Sequence, residues 1–328
     1  METELVRHFR GRKESLWREL MTRAGLEADG DSDVTALVWD DETLVAAGSR
    51  KENLLKCIAV SPDRQGQGLT ADIITALRQD AFLGGYRHLF LYTKPENRQM
   101  FGDLFFYPIA ETDQVLLMED KPQGIREFLQ SLPAAEREGR IGAAVMNCDP
   151  FTLGHRHLIQ TAAAECDRLY VFVLSEDKGY FSAADRLAMV RAGTEDLSNV
   201  TVLLTGPYLI SSATFPTYFL KDRDRAAHAH FALDIALFAR YFAPYFGIKV
   251  RYVGTEPLSA LTEQYNAALA QELPKQGIAL RQIPRLEREG APISASHVRQ
   301  LLKAGDHEAA KALLPQTAFR YLQIHNLL

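Results

Sequence analysis

Three residues near the middle of the chain have the types and spacing of a phosphate-binding turn: Thr152, Gly154 and His155. They follow an apolar run over 141–146 that predicts a buried strand, and apolar residues recur at helical spacing after them. At such a strand-to-helix turn, free helix N–H groups attract phosphate and a glycine permits close approach of the backbone. His155, on the first helical turn, can donate to the same anion. The alternative is a capped helix followed by a surface histidine. The turn in front of the group supplies three more candidates for the same site: Asn147, Pro150 and Phe151.

A second group lies some 140 residues later in the chain, at the predicted start of another helix. Ser294 and Ser296 can cap this helix and leave N–H groups for an anion. Arg299 offers a planar fork that suits phosphate oxygens. Taken alone, the group is explained equally well by helix capping and a solvated arginine. Together with the first group, it predicts a clamp for a triphosphate or pyrophosphate.

This pair of motifs resembles the two signatures of the cytidylyltransferase-like nucleotidyltransferases, which have a Rossmann-like fold. The resemblance implies that Gly154 and His155 contact the phosphates of ATP. It also implies that Ser294, Ser296 and Arg299 hold the leaving pyrophosphate. The sequence departs from the commoner pattern at one position, where Thr152 stands in place of a histidine. A threonine hydroxyl can still donate to a phosphate, and we count it with His155 and Arg299 as a catalytic candidate.

Three other residues are candidates for the ATP site, each with a structural alternative. Lys178 is the lysine best placed for a phosphate, or it is a solvated surface residue. Arg186 stands near the start of a predicted helix and either approaches the substrate or stabilises the fold through an ion pair. Glu256 follows another predicted strand, where it binds ribose hydroxyls or a magnesium-bound water, or caps a helix. A hydroxyl-rich stretch over 206–221 either forms the acceptor pocket, through Ser211, Ser212 and Thr214, or is an ordinary packed loop.

Histidine and cysteine residues give no metal-site pattern. His228 and His230 are two residues apart, as are His155 and His157, and residues at that spacing on a helix point to different faces. We therefore assign no metal ligands. Cys148 stands beside the predicted phosphate turn but has no basic partner near it in the sequence, which favours a packed residue over a nucleophile.

A glycine-bearing loop in the first third of the chain is a second candidate for anion binding. Gln65, Gly66 and Gly68 stand between a predicted strand and a predicted helix, where backbone N–H groups can bind a pyrophosphate. The loop resembles motif A of the GNAT-type acetyltransferases, which implies a cradle for a coenzyme-A-like arm. Phe101 replaces the general-acid tyrosine of that family and Phe105 replaces a glycine. A phenyl ring cannot protonate a departing thiolate, so the sequence predicts binding and leaves acetyl transfer by this domain open.

The alternation of strand and helix patterns predicts an α/β protein with two domains. A GNAT-like α+β domain is expected over 1–125, a linker over 126–139, and a Rossmann-like parallel α/β nucleotidyltransferase domain over 140–328. Ten strands are predicted: 34–39, 44–47, 54–60, 88–92, 114–118, 141–146, 169–174, 200–204, 248–253 and 278–283. The first two form a hairpin, so the first sheet is expected to be mixed. A long helix is expected over 223–245, closed by Gly247.

Composition limits the classes of partner. The 328 residues carry a net charge of −5, which argues against nucleic acid or an anionic membrane as the main partner. No apolar run is long enough to span a bilayer, and the N-terminus lacks the apolar segment of a signal peptide. The three cysteines cannot all pair, which favours a reducing, cytoplasmic location.

The combination of a GNAT-like domain with this nucleotidyltransferase domain resembles the citrate lyase ligase family over essentially the whole chain. The resemblance implies an ATP-dependent acid–thiol ligase. Acetate would be activated as acetyl-adenylate, and AMP and diphosphate would be released. The acetyl group would pass to the thiol of a dephospho-coenzyme-A-derived prosthetic group on the acyl carrier protein of citrate lyase. ATP and Mg²⁺ are the expected cofactors. The alternative is a coenzyme-type adenylyltransferase that acts on a phosphorylated acceptor.

Overall fold

The structure is a computed structural model that describes residues 1–136, 138–177, 179–209, 215–220, 223–257 and 259–328, without the side chains of 223–225. The described chain divides into two compact units. Unit 1 comprises Met1–Glu127 and Phe215–Leu233, and unit 2 comprises Phe128–Thr214 and Asp234–Leu328. The sequence placed the segment Phe215–Leu233 in the second domain, whereas its contacts group it with the first. The functional division at 126–139 stays a prediction.

Unit 1 is built on a seven-stranded mixed sheet in the order β1-β2-β3-β4-β5-β7-β6. Its strands are β1 Glu2–Val6, β2 Val34–Asp40, β3 Thr43–Lys51, β4 Leu54–Val60, β5 Phe90–Thr93, β6 Tyr107–Glu111 and β7 Leu116–Glu119. Its helices are α1 Arg12–Arg23, α2 Leu69–Leu83, α3 Arg98–Gly102 and α4 Gly124–Ser131, the last of which runs on into unit 2. The strands β4 and β5 pair in parallel and the other neighbours are antiparallel. The predicted hairpin (β2–β3) and the mixed α+β sheet are confirmed.

The core of unit 1 lies between this sheet and α2. The helix has an apolar face in which Ile73, Ile74 and Leu77 are buried, and these pack with sheet residues such as Val34 and Leu116 in one cluster. A helix with one apolar face gains most of its stability from this kind of burial. The glycine loop before α2 is thereby fixed at the end of β4.

Two strands of unit 1, β1 and β6, were not expected. The strand β1 is largely exposed and carries charged residues, so it lacks the alternation that marks a half-buried strand. The strand β6 contains Pro108, which weakens a strand pattern. Both lie at sheet edges, where proline and charge are tolerated.

Unit 2 is built on a five-stranded parallel sheet in the order β10-β9-β8-β11-β12. Its strands are β8 Ile141–Met146, β9 Arg168–Val173, β10 Val200–Leu204, β11 Val250–Gly254 and β12 Ala279–Ile283. Its helices, in chain order, are α5 Leu153–Ala164, α6 Ala183–Ala192, α7 Arg223–Leu237 (which begins in unit 1), α8 Ala243–Phe246, α9 Ala260–Glu272, α10 Ala295–Lys303, α11 His307–Lys311 and α12 Gln316–Ile324. A π-helical turn over Phe238–Phe242 joins α7 to α8, and β13 Glu287–Arg288 and β14 Ala291–Pro292 form a small hairpin. All five predicted strands of this domain are confirmed, as is the long helix before Gly247.

The strand order places the topological switch point at β8, which pairs with β9 on one side and β11 on the other. All pairings in this sheet are parallel, so the carboxyl ends of the strands share one edge. In open α/β sheets, ligands bind in the crevice outside the carboxyl ends at such a point. The predicted Rossmann-like class is confirmed, and a ligand site is therefore expected at the carboxyl end of β8. Among the described residues, no helix is both long and apolar enough to cross a membrane.

Candidate functional site

The N-terminus of α5 orients His155 through a capping box. Thr152 is the N-cap, and its hydroxyl accepts from the N–H of His155 at 3.4 Å. In return, the backbone N–H of Thr152 donates to Nδ1 of His155 at 3.1 Å, and the Thr152 hydroxyl lies 3.0 Å from the same nitrogen. Because Nδ1 accepts a hydrogen bond, the ring proton of the neutral imidazole is on Nε2. His155 is therefore held as a neutral donor whose Nε2–H faces away from its own cap.

Burial, and to a smaller extent the positive charge of Arg285, lowers the pKa of His155 to about 4. The residue is partly accessible and lines the cavity described below. Phe151, fully buried, stacks beside the imidazole with the ring centroids 6.1 Å apart. A neutral imidazole can donate to a phosphoryl oxygen without a prior proton transfer.

The two sequence motifs meet at Gly154. A side chain at this position would place its Cβ 3.3 Å from the carbonyl oxygen of Ile293, closer than most such contacts in proteins. Glycine therefore lets the start of α5 approach the segment in front of α10. Ser294 is the N-cap of α10 and accepts from the N–H of His297 at 3.1 Å. The structure thus brings together the two groups that the sequence placed in one clamp.

Arg299 joins α10 to the turn after β8. Its guanidinium donates to the carbonyl oxygen of Asp149 and to the Ser296 hydroxyl, the latter at 3.1 Å. It also lies 3.6 Å from the carboxylate of Asp149, which accepts the N–H groups of Tyr180 and Phe181 at 2.9 Å each. Ser296 is exposed and Arg299 is partly exposed, so both remain accessible to an anion at this rim.

Arg186 is fully buried, and protein acceptors take up four of its five N–H donors. It donates to the carbonyl and side-chain oxygens of Asn147 at 2.8 and 2.6 Å, to the carbonyl of Phe181 at 3.2 Å, and to the carbonyl of Glu176. Of the two alternatives left open by the sequence, this geometry supports the structural one. Arg186 positions the turn that carries Asn147, and it does not line the cavity.

A cavity of about 320 Å³ opens at the carboxyl edge of the sheet in unit 2. Asn147, Thr152, Gly154, His155 and Glu256 all line it, as the sequence proposed for one site. Pro150 and Phe151 are buried behind it, and Ser294, Ser296 and Arg299 stand beside it rather than in its wall. Lys178 lies outside the described residues, as do Ser211, Ser212 and Thr214.

Glu256 is held by Arg285 in an ion pair. The same arginine donates from Nε to the carbonyl oxygen of Thr255 at 2.8 Å, so it fixes the loop after β11. Asn266 on α9 donates to the carbonyl oxygen of Gly254 at 2.9 Å and fixes the same loop from the other side. The pairing leaves Glu256 with less negative charge to offer a cation than a solvated glutamate has.

Sequence reasoning assigned no role to several residues that line this cavity, among them Arg251, Tyr265, Asn266 and Arg285. One signal was available for Arg251, because a charged residue stands inside an otherwise apolar parallel strand. The others lie on α9 and in the loop after β12, outside any motif. Their role depends on which strands become neighbours, and the motifs do not specify that order.

A second cavity of about 540 Å³ lies in unit 1 and is lined by Gln65, Gly66 and Gly68. Both glycines have positive φ angles, 78° and 81°, in the region that side chains disfavour. The helix α2 begins directly after Gly68 without a side-chain cap, so its first N–H groups remain available to a ligand. Phe101 is buried in the wall of this cavity, and Phe105 is exposed with a φ of 61°.

The structure bears on two hypotheses from the sequence, a nucleophilic Cys148 and a metal site. Cys148 is fully buried, and burial raises the pKa of its thiol far above the usual range. Such a thiol is a poor nucleophile. Within the described part of the chain, no group of three His, Cys, Asp or Glu side chains is arranged to hold a metal ion.

Comparison with known proteins gives consistent matches. The family model described as the citrate lyase ligase C-terminal domain matches residues 141–322. The [citrate [pro-3S]-lyase] ligase of Klebsiella pneumoniae is 39% identical over 303 residues, which cover 90% of this chain and 89% of that protein. The protein of the same name from Escherichia coli K12 is 39% identical over 305 residues, covering 91% and 87%. Among solved structures, ElaA of Escherichia coli is 13% identical, with a TM-score of 0.33, over 37% of this chain and 99% of its own. The family resemblance found in the sequence is thereby confirmed, and the chain belongs to the citrate lyase ligase family.

Proposed function

We propose that this protein is an ATP-dependent acid–thiol ligase that activates acetate as acetyl-adenylate and passes the acetyl group to a thiol of citrate lyase. The family relatives carry the name of this ligase activity. The structural observation that carries the proposal is the neutral Nε2–H of His155, beside the start of α5 and a cavity at the switch point. A coenzyme-type adenylyltransferase with a phosphorylated acceptor is the second candidate, and the names of the relatives do not favour it.

In the first step, an acetate oxygen attacks the α-phosphorus of ATP. A P–O bond forms to acetate, the bond between the α-phosphorus and the bridging oxygen breaks, and pyrophosphate leaves with that oxygen. Acetate is ionised at neutral pH, as carboxylic acids with a pKa near about 4 are, so no general base is needed. The work of the protein is positioning and electrostatic stabilisation, which dominate phosphoryl transfer. His155 Nε2–H and the free N–H groups of α5 would stabilise charge on the α-phosphoryl oxygens.

The departing pyrophosphate would be bound at the start of α10. Ser294 caps that helix, and the partly exposed Arg299 and exposed Ser296 lie on its first turns. Arg299 would exchange its contacts with Asp149 and Ser296 for pyrophosphate oxygens. In the second step, the carrier thiolate attacks the acetyl carbonyl carbon. A C–S bond forms, the C–O bond to the phosphate breaks, and AMP leaves with that oxygen.

Mg²⁺ is proposed to arrive with the phosphates of ATP. The described residues supply no cluster for a metal ion, and Glu256, the acidic candidate, is paired with Arg285. Mg²⁺ is commonly held by one or two carboxylates together with substrate phosphates. When bound there, it would neutralise phosphate charge, and no step above depends on a protein ligand to it.

The cavity of unit 1 is proposed to bind the coenzyme-A-like arm of the carrier protein. The support is the uncapped start of α2 after two glycines of positive φ, which suits a pyrophosphate linkage. Because Phe101 has no hydroxyl, we assign this cavity binding and no acid catalysis. We also propose a cytoplasmic location, where carrier thiols stay reduced.

The main experiment measures acetate-dependent exchange of labelled pyrophosphate into ATP, followed by AMP formation with the thiol form of the carrier protein. Exchange with acetate alone, and net AMP formation only with the thiol carrier, is the expected result. Incorporation of AMP into phosphopantetheine without acetate would favour the second candidate instead. No exchange with acetate or any short carboxylate would refute the proposal.

The role of unit 1 is tested by Gln65→Glu, which adds a negative charge at its cavity without changing side-chain size. We expect the KM for the thiol carrier to rise several-fold, while acetate-dependent exchange stays unchanged. Gln67→Glu is the matched control, because Gln67 is exposed and does not line the cavity. Equal KM values in the two variants would remove this cavity from the mechanism.

A further inference from the structure

Arg251 is a buried cation with unused hydrogen-bonding capacity. Its residue is only 2% exposed, and its Nε and Nη1 atoms have no hydrogen-bond partner within the part of the chain that the structure describes. A buried guanidinium is normally satisfied by acceptors, because unpaired charged donors are costly to bury. These two atoms therefore call for an acceptor that the described residues do not supply.

The remaining contacts of Arg251 fix its orientation. Its Nη2 donates to the Tyr265 hydroxyl at 3.0 Å, and that hydroxyl in turn donates to Asp234. The carboxylate of Asp234 lies 3.8 Å from the same Nη2. One face of the guanidinium lies over the ring of Phe238, with the central carbon 4.3 Å from the ring centroid. The side chain is thus held on one side, while Nε and Nη1 are left for a ligand.

Arg251 lines the same cavity as His155. In the register of β8 and β11, Arg251 is opposite Ala143, three residues before the last residue of β8. At about 3.3 Å per residue, its Cα is roughly 10 Å below the carboxyl edge of the sheet. The start of α5 stands at that edge. Arg251 therefore forms part of the floor of the cavity, and the phosphate-binding groups stand at its mouth.

We propose that Arg251 binds the carboxylate of the acid substrate and places that group beneath the α-phosphate of ATP. The inference rests on the proposed function and adds the residue that recognises the acid. The attacking acid must lie on the side of the α-phosphorus opposite the leaving pyrophosphate, because displacement at phosphorus is in line. Pyrophosphate is assigned to α10, whose Arg299 does not line the cavity, whereas Arg251 does.

The surroundings of Arg251 favour a small carboxylate over a second phosphate. A guanidinium forms charge-assisted hydrogen bonds with either anion, but Asp234 already offsets part of its charge. A singly charged acid therefore matches the site better than a doubly charged phosphate. Apolar side chains, Val145, Leu158 and Ile283, contribute to the same cavity wall and suit a short alkyl group. The site should select acids by the size of that group.

The test is the kinetics of acetate-dependent pyrophosphate exchange in Arg251→Gln. Removing a hydrogen bond to a charged group costs about 1.5–3 kcal/mol, so we expect the KM for acetate to rise about 10- to 100-fold. The KM for ATP should change by less than about twofold, because Arg251 is assigned to the acid and not to ATP. A variant that merely folds less well lowers the rate without altering either KM. Arg281→Gln on the neighbouring strand is the matched control, since Arg281 is exposed and paired with Glu165. An unchanged acetate KM in Arg251→Gln, or equal rises for acetate and ATP, would overturn the inference.

Two further measurements keep the outcome decisive. Arg251→Gln leaves Asp234 without its cation, so the double variant Arg251→Gln/Asp234→Asn supplies a neutral pair if the single variant folds poorly. Line broadening of ¹³C-labelled acetate measures binding without turnover. Broadening by the wild type that is lost in the double variant supports the inference even if exchange is absent, in which case only the proposed function fails. Equal broadening by both proteins, or none by the wild type, refutes it.

Discussion

The protonation of His155 gives a prediction that can be tested without any substrate. Burial lowers its pKa from the usual 6.5 to about 4, so the folded protein resists a proton that the unfolded chain accepts. The sign follows from linkage: the contribution of this residue is constant above about pH 6.5 and is lost as the pH falls towards the pKa of about 4, because the unfolded state binds more protons. At about pH 5 the unfolded histidine is almost fully protonated and the folded one is not. The two pKa values then give a loss of about 2 kcal/mol relative to neutral pH.

His155→Gln removes this titration and keeps the local structure. Glutamine is a usual residue at the third position of a capping box, so it can still accept from the N–H of Thr152. Urea unfolding of both proteins at neutral pH and at about pH 5, followed by circular dichroism, gives the difference between the two losses. We expect the wild type to lose about 2 kcal/mol more than the variant.

Other histidines and carboxylates titrate in both proteins, so their contributions cancel in the comparison. Equal losses in the two proteins, within about 0.5 kcal/mol, would show that His155 is not held neutral. That result would also remove the argument that it acts as a neutral donor. The catalytic counterpart is His155→Ala, for which loss of one transition-state donor should lower the exchange rate about 10²- to 10³-fold.

Three other predictions follow from single residues. Thr152→Val should lower the exchange rate about tenfold and cost about 1 kcal/mol in stability, because it removes the cap that orients His155. Thr152→Ser keeps the capping hydroxyl, so its exchange rate and stability should stay close to those of the wild type in the same exchange and urea assays. Losses as large as those of Thr152→Val would contradict the capping role. Phe105→Gly should raise the free energy of unfolding by about 0.5–1 kcal/mol, because this exposed residue has a φ of 61°, and a lower melting temperature would argue against it. Cys148→Ala should keep the exchange rate within about twofold, since burial keeps the thiol protonated, and a large loss in that assay would restore the nucleophile hypothesis.

The sequence was sufficient to predict those strands and helices that have a clear local hydrophobic pattern. Four of the five strands of the parallel sheet are largely apolar runs, β12 being the exception with Arg281 and Gln282, and each strand was predicted within a few residues. The strands β1 and β6 were missed because edge strands tolerate the charges and the proline that obscure a strand pattern. The grouping of Phe215–Leu233 with unit 1 could not be foreseen, because it depends on contacts between segments far apart in sequence.

The location of the site could be predicted from the sequence, because the carboxyl ends of parallel strands lie at one edge of the sheet and ligands bind there. Thr152, Gly154 and His155 after one strand, taken together with Ser294 at the start of another helix, predicted one phosphate clamp. Of the five predicted site residues that line the cavity, four belong to the first motif or its turn. The spacing did not show which hydrogen-bond partner each of these side chains has. The hydroxyl of Thr152 was expected to face phosphate, whereas it is engaged with His155.

The arginines of unit 2 show why residue type and motif position are weak guides to role. Arg186 stands in a motif-like helix start, yet it is fully buried and its hydrogen bonds to Asn147, Phe181 and Glu176 take up four of its five donors. Arg251 stands in no motif, yet its Nε and Nη1 lack partners among the described residues, at the floor of the cavity. A guanidinium has five donors, and what it can bind is set by how many of them the fold has already used. That number depends on long-range contacts, so it becomes visible only when the strands are placed beside one another. A charged residue inside a predicted parallel strand is the part of this signal that sequence does carry, and in a Rossmann-like sheet it points to the cavity below the switch point.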